Sequence, residues 1–318
     1  MLHARPCEIS VEVSTTDGGV TYAQVLRHPD RDPVLGLLGV ITGVVAYVVL
    51  SPLCIQAVLA VAWLLSSDLP WQEYLQSAAR FEVPAGMLAG NLSIAVFILV
   101  AVALVRMVHR APARALISVD LRVRWRWAAV CAGVAVVVFI TSVVVGDVVS
   151  GGSAPWSPQA GFTTFLIVIV ATTPLQAIAE EVFFRGYLMQ AIGSMASSPW
   201  WGIVGSALLF AVFHGTQGLA LFLSRFAFGV VAGWLVVRTG GLESVAAAHV
   251  VNNLFAWVLA VGRSSIAEVR AIEHITWSQA FTDVAAYAVI ACVCAVLARR
   301  LRLSSRRASG VSGDATRV

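Results

Sequence analysis

Between positions 180 and 253 an otherwise apolar chain supplies a run of groups able to do acid–base chemistry: Glu180, Glu181, Arg185, His214, Arg225, His249, Asn252 and Asn253. Charges at membrane depth cost on the order of 2.5–3.5 kcal/mol each on insertion scales, and are read by default as a functional site. Side chains three and four apart share a helix face. Glu181 with Arg185, Phe210 with His214, and His249 with Asn253 therefore form three one-face pairs. Glu180 projects about 100° away from the Glu181 stripe, so Arg185 neutralises one carboxylate and leaves the other available. A carboxylate can take a proton from water. An imidazole can position that water or donate a proton, and a His/Asn pair can supply donors to a developing oxyanion. This is an inventory for amide hydrolysis. Glu180, His214 and His249 could instead ligate a divalent metal such as zinc, whose bound water becomes the nucleophile. Asn253 is a poor zinc ligand, which favours a hydrogen-bonding role for it.

The elements that must position these groups are membrane helices. The chain has 318 residues, of which 59% are hydrophobic and only 12% charged, far from the roughly 25% charged residues of globular proteins. Apolar runs near the roughly 20 residues that cross a bilayer fall at about 34–66, 86–107, 127–148, 161–192, 199–217, 218–238, 242–262 and 280–298. The expectation is an all-α, polytopic bundle of about eight spans, with a polar tail at 1–33, a membrane domain at 34–298 and a basic tail at 299–318. The first 33 residues contain no apolar run, so no cleavable signal peptide is expected.

The arginines of 106–126 and of 299–307 put both segments, and both termini, on the cytoplasmic side of a cell membrane. Segment 111–127 is expected along that surface, with Trp125 and Trp127 at headgroup level. The net charge of +4 is accounted for by these arginines, so membrane lipid is an expected partner and nucleic acid is not. All 21 basic residues are arginine, which with the Ala, Val and Gly content suggests a high-GC bacterial source. The cysteines are scattered without metal-type spacing.

If the chain reverses at "SSPWW", Glu180 and His214 lie about equally far from the turn, roughly 24 Å at 1.5 Å per residue. A hairpin would then bring carboxylate and imidazole together. His249 counts as shallower, and needs a tilted or unwound helix end to join them. Other hydrolase plans fit poorly: HExxH is absent, Ser206 in "GIVGSALLF" lacks a following glycine, and the Asp residues that fall in spans, Asp147 and Asp283, sit near span ends and make no aspartyl pair. An ion-coupled transporter is the alternative from another class, since Glu and His inside spans are also proton-relay parts. It would show repeat symmetry and paired broken helices, and neither is seen. A non-catalytic membrane scaffold is a further alternative, and the intact motifs oppose it.

"EEVFFRG" (Glu180, Glu181, Arg185), "FAVFH" (Phe210, His214) and "HVVNN" (His249, Asn253) resemble, in order, the EExxxR, FxxxH and HxxxN motifs of the CAAX-protease and bacteriocin-processing family of intramembrane proteases. The resemblance covers about 160–262. It implies an endopeptidase acting on a peptide or protein substrate, with Glu180 as the water-activating base and His214 its partner. It implies His249 and Asn253 as the oxyanion or second-site pair, with Glu181, Arg185 and Phe210 in support. The family is commonly called metalloproteases, but a metal-free glutamate mechanism has been argued for eukaryotic members, so the resemblance leaves the metal open. The site cavity is expected to open toward the cytoplasm.

Overall fold

The computed structural model describes residues 19–27, 33–215 and 217–307, and they form an almost entirely helical bundle. In chain order the helices are α1 (Val34–Ser66), α2 (Trp71–Ala79), α3 (Pro84–Ala95), α4 (Phe97–Met107), α5 (Trp125–Val149), α6 (Phe162–Glu180), α7 (Met189–Ser194), α8 (Pro199–Val212), α9 (Leu219–Thr239), α10 (Glu243–Arg263), α11 (Ile266–Arg270) and α12 (Trp277–Arg300). Among the described residues seven helices, with α3–α4 and α6–α7 each taken as one, are long and apolar enough to cross a membrane. Their outer faces are apolar: along α1 and α5, side chains such as Val48, Leu64, Val137 and Val148 are exposed, as a lipid-facing surface requires.

The eighth expected run folds differently. Its helix, α8, has 14 residues, about 21 Å at 1.5 Å per residue, short of the roughly 30 Å hydrocarbon core. Ser198 begins it by accepting a hydrogen bond from the Trp200 amide, with Pro199 in the first turn, a favourable start for a helix. Past the turn at Phe213 and His214, Gly215 adopts φ +82°, the left-handed conformation that ends helices and suits glycine. The amide of Gly218 then donates to the Glu273 carbonyl, tying this break to the segment between α11 and α12. Irregular backbone within a bilayer is tolerated only where it is buried in protein or lines a water-filled cavity.

At the other end of the bundle, residues 113–124 form a strap across the α9–α10 turn. The amide of Val119 donates to Gly240 and that of Leu242 to Ile117. Gly240 has φ +70°, and the Ser304 backbone beside it leaves no room for a Cβ. Arg124 closes the arrangement, donating from Nη2 and Nε to Glu243 at 2.7 and 2.8 Å and from Nη1 to the Thr239 carbonyl. The strap is therefore packed, with Ala115 and Leu116 almost fully buried, where a surface-lying piece was expected. Trp127 lies in the core and only Trp125 is exposed, which corrects the expectation of two headgroup tryptophans. Both partners of the Arg124–Glu243 pair are buried, so Arg124→Ala should leave Glu243 uncompensated and cost about 3–5 kcal/mol. Thermal unfolding in detergent would measure this, and a loss below about 1 kcal/mol would contradict it.

The described part of the segment expected as a polar N-terminal tail also packs here. Tyr22 and Ala23 are fully buried, and Tyr22 Oη donates to the Leu116 carbonyl. Gln24 Nε2 donates to the carbonyls of Ala196 and Ser197. Strand β1 (Val20–Thr21) pairs antiparallel with β2 (Arg306–Arg307), bringing the two ends of the described chain together beside the strap.

Candidate active site

Glu180 is the last residue of α6, and residues Glu181–Leu188 continue as a π-helix. Such wide turns inside α-helices recur at functional sites. α6 is held in place by α3, where Asn91 Nδ2 donates to Thr172 Oγ1 at 2.7 Å and to Thr173 Oγ1 at 3.2 Å. The wide turn keeps the expected pair: Arg185 Nη1 donates to Glu181 Oε1 at 3.1 Å, with both side chains fully buried. The Arg185 guanidinium lies 4.2 Å from the centroid of Phe210 and 5.1 Å from that of Phe228. Two aromatic faces thus share the charge with one carboxylate. Phe210 is accordingly a support of the arginine.

His249 joins the two carboxylates. Its Nδ1 lies 2.7 Å from Glu181 Oε1 and its Nε2 lies 3.4 Å from Glu180 Oε2. Because Glu181 is paired with a guanidinium and accepts, Nδ1 carries the proton in this bond, and the assignment of tautomer rests on that partner. The face of the ring is packed by Phe228, at 5.4 Å between centroids. The depth mismatch that the residue count gave His249 is resolved by the strap. Gln190 Nε2 donates to the Ala115 carbonyl, while the Leu242 amide donates to Ile117. Glu181 stands nine residues from the strap contact at Gln190 and His249 seven residues from that at Leu242, so the two lie at similar height above the strap. α10 begins deep, beneath the strap, so no unwinding of α10 is needed.

The third motif continues one turn along. Asn253 Nδ2 donates to Gln176 Oε1 at 3.1 Å, and its Oδ1 accepts from Asn252 at 3.1 Å. One N–H of Asn253 is left without a partner among the described residues. Gln176 was missed in the sequence; the signal was a polar residue four before Glu180 on the same helix face.

His214 is held from its own helix end. Its Nδ1 is 2.7 Å from the Phe210 carbonyl, which can only accept, so Nδ1 carries the proton and Nε2 presents a lone pair. Its ring lies against Phe210 at 4.4 Å between centroids. Among the described residues it is not within ion-pair distance of Glu180; His249 is. The side chain is exposed, whereas Glu180 is 8%, His249 5% and Glu181 and Arg185 0% exposed. The residual exposure of Glu180 separates the two carboxylates: Glu180 keeps some accessible surface and Glu181 has none.

These contacts also test a metal. Both nitrogens of His249 face carboxylates, and among the described residues no three His, Cys, Asp or Glu side chains are grouped to hold an ion. The set Glu180, His214 and His249 does not fit a metal as arranged. The site is covered on one side. Its strap side is closed by the buried Leu116 and Tyr22, and its exposed member, His214, lies at the α8 break on the opposite side.

Residues 162–255 match the family model described as Rce1-like, type II CAAX prenyl endopeptidase Rce1-like. The segment that holds the site matches the family its motifs resemble. The Rce1-like segment contains Glu180 through Asn253 and every contact of the cluster. The uncharacterized protein YyaK of Bacillus subtilis (strain 168) is 29% identical over 111 residues, 33% of this chain and 37% of that relative. The similarity thus spans well under half of YyaK. No solved structure matches.

Proposed function

We propose that this protein is an intramembrane endopeptidase that hydrolyses a peptide bond with water activated by Glu180. The observation that carries the reading is the bridge Glu181–His249–Glu180, at a wide turn in a membrane helix. Glu180 removes a proton from water, whose oxygen attacks the peptide carbonyl carbon. The proton is held by Glu180 and the adjacent Nε2 of His249 until the leaving amine takes it as the carbon–nitrogen bond breaks. Glu181, fixed by Arg185, holds the His249 ring in orientation, as a carboxylate does for an imidazole in hydrolytic triads. The Nε2 lone pair of His214 accepts from the attacking water, and the free N–H of Asn253 donates to the oxyanion. The water would reach the site from the side of the broken helix at His214, the exposed member of the set. In this reading the membrane domain is 34–298 with its protease core at about 160–262, and the Rce1-like match of 162–255 supports the reaction class.

Incubating the purified protein with an apolar peptide in water enriched in oxygen-18 tests the reaction. One heavy oxygen should appear in the new C-terminal carboxylate, and peptide cleavage should be absent from protein carrying Glu180→Gln. Uptake of protons into liposomes without any cleavage would instead favour a carrier.

The positive charge of the strap and of the segment after α12, together with the β1–β2 pairing, supports a cytoplasmic placement for that end of the bundle. Reporter fusions within 113–124 and after 300 should both report cytoplasm and one near 153 the outside. An external signal from the strap would overturn this orientation.

A further inference from the structure

Arg225 is not used by the reaction just described. It lies in the second turn of α9, half-buried, and among the described residues it has no carboxylate within ion-pair distance. A charge placed in a membrane helix is costly and is read by default as functional. Its partner is a neutral carboxamide: Arg225 Nη1 donates to Gln217 Oε1. Gln217 belongs to the irregular backbone between α8 and α9, and its Nε2 donates at 2.7 Å to the Ala211 carbonyl in the last turn of α8. These two neighbours fix which way the carboxamide faces, since a guanidinium can only donate and a carbonyl can only accept. The Ala211 carbonyl takes a second hydrogen bond, from the backbone amide of His214 at 3.3 Å. Three hydrogen bonds thus run from Arg225, through Gln217 and the Ala211 carbonyl, to the backbone of His214.

The turn that carries His214 is weakly packed. The His214 side chain is exposed, and Gly215, at φ +82°, has open space where a Cβ would stand. What holds the turn is the set of carbonyls that α8 leaves without an intrahelical partner at its end. The Phe210 carbonyl takes the His214 ring and the Ala211 carbonyl takes Gln217, each at 2.7 Å. A hydrogen bond from a charged donor is roughly twice as strong as one between neutral groups, so an arginine holds the Gln217 carboxamide more firmly than a neutral side chain would. We infer that Arg225 is a positioning residue: by holding Gln217 against the Ala211 carbonyl, it fixes the turn that presents Nε2 of His214 to the attacking water. This rests on the reading of His214 as the group that accepts from that water. Arg225 acts through Gln217 and has no part in the bond changes themselves.

Three substitutions separate this role from plain support of the fold. Arg225→Met removes the donor and keeps most of the side-chain length, and Arg225→Lys keeps a donor. Gln217→Glu offers Arg225 an ion pair but turns a carboxylate oxygen toward the Ala211 carbonyl, where neither atom can donate. The first readout is exchange with water of the His214 Nδ1 proton, followed by nitrogen-15 labelling of histidine in phosphatidylcholine nanodiscs and assigned by its loss from protein carrying His214→Gln. Arg225→Met and Gln217→Glu should each speed that exchange by about threefold to tenfold, the scale of one hydrogen bond, and Arg225→Lys by less. The second readout is cleavage of an apolar peptide. Both substitutions should lower kcat about tenfold or more with KM nearly unchanged, as misplacement of a group used in the transition state does. In protein already carrying His214→Gln, Arg225→Met should change kcat by less than about twofold, because the group it positions is gone. A purely structural role predicts instead that Gln217→Glu, with its new ion pair, performs like the parent. Parent-like exchange in the Arg225→Met protein would overturn the inference, as would parent-like exchange and kcat in the Gln217→Glu protein. So would an Arg225→Met effect as large beside His214→Gln as in the parent. Where Arg225→Met does not fold, Gln217→Glu carries the same prediction. If the unsubstituted protein cleaves no peptide while the exchange at His214 still depends on Arg225 and Gln217, the peptidase reading fails and the positioning role stands.

Discussion

Replacing Glu180 by Gln should reduce peptide cleavage by about 10²–10⁴-fold, the usual contribution of a positioned general base, while leaving insertion and thermal stability nearly unchanged. Gln keeps the shape and the partial accessibility of the side chain but cannot accept the proton of water. Among the described residues the single contact within ion-pair distance that this change weakens is the 3.4 Å one to His249 Nε2; the Arg185–Glu181 pair and the Glu181–His249 hydrogen bond remain. A well-folded Glu180→Gln protein that cleaves at the parent rate would end the general-base reading.

Replacing Glu181 by Gln should act on both stability and rate. The carboxylate of Glu181 serves a guanidinium and an imidazole through one oxygen, at 3.1 and 2.7 Å. Its loss leaves Arg185 buried with only aromatic faces for its charge, a cost of about 3–5 kcal/mol, and releases His249 from its orientation. Adding Arg185→Met should recover most of the stability, because the uncompensated charge is then gone. It should not recover the rate, because the ring of His249 still lacks its anchor. Recovery of both together would mean that Glu181 acts only through Arg185. Thermal unfolding in detergent and cleavage rates in nanodiscs separate the two effects.

The motif spacing carried the Glu181–Arg185 pair into the structure intact, since residues four apart still meet on the wider π turn. It also carried the helical class, because apolar runs of bilayer length have few other options. What the chain does not display along its length is depth set by tertiary contacts. His249 counts as too shallow until the strap is seen to cover the start of α10, and that depends on Val119, Leu242 and the Arg124–Glu243 pair, more than a hundred residues apart. The expected Glu180–His214 hairpin assumed a full fifth span. α8 ends after 14 residues, so His214 lies on the turn past its end, and the imidazole within ion-pair distance of Glu180 among the described residues is that of His249. Gln176 escapes a motif reading for a different reason: its use depends on a partner from another helix, Asn253 on α10.

The central claim is that Glu180 and His249 work as one unit across their 3.4 Å contact. A double-substitution cycle on kcat/KM, with Glu180→Gln and His249→Gln alone and together, measures this directly, since residues that act as a unit are strongly non-additive. The account predicts a double variant no slower than the slower of the two single ones. Single effects that multiply in the double variant would contradict it.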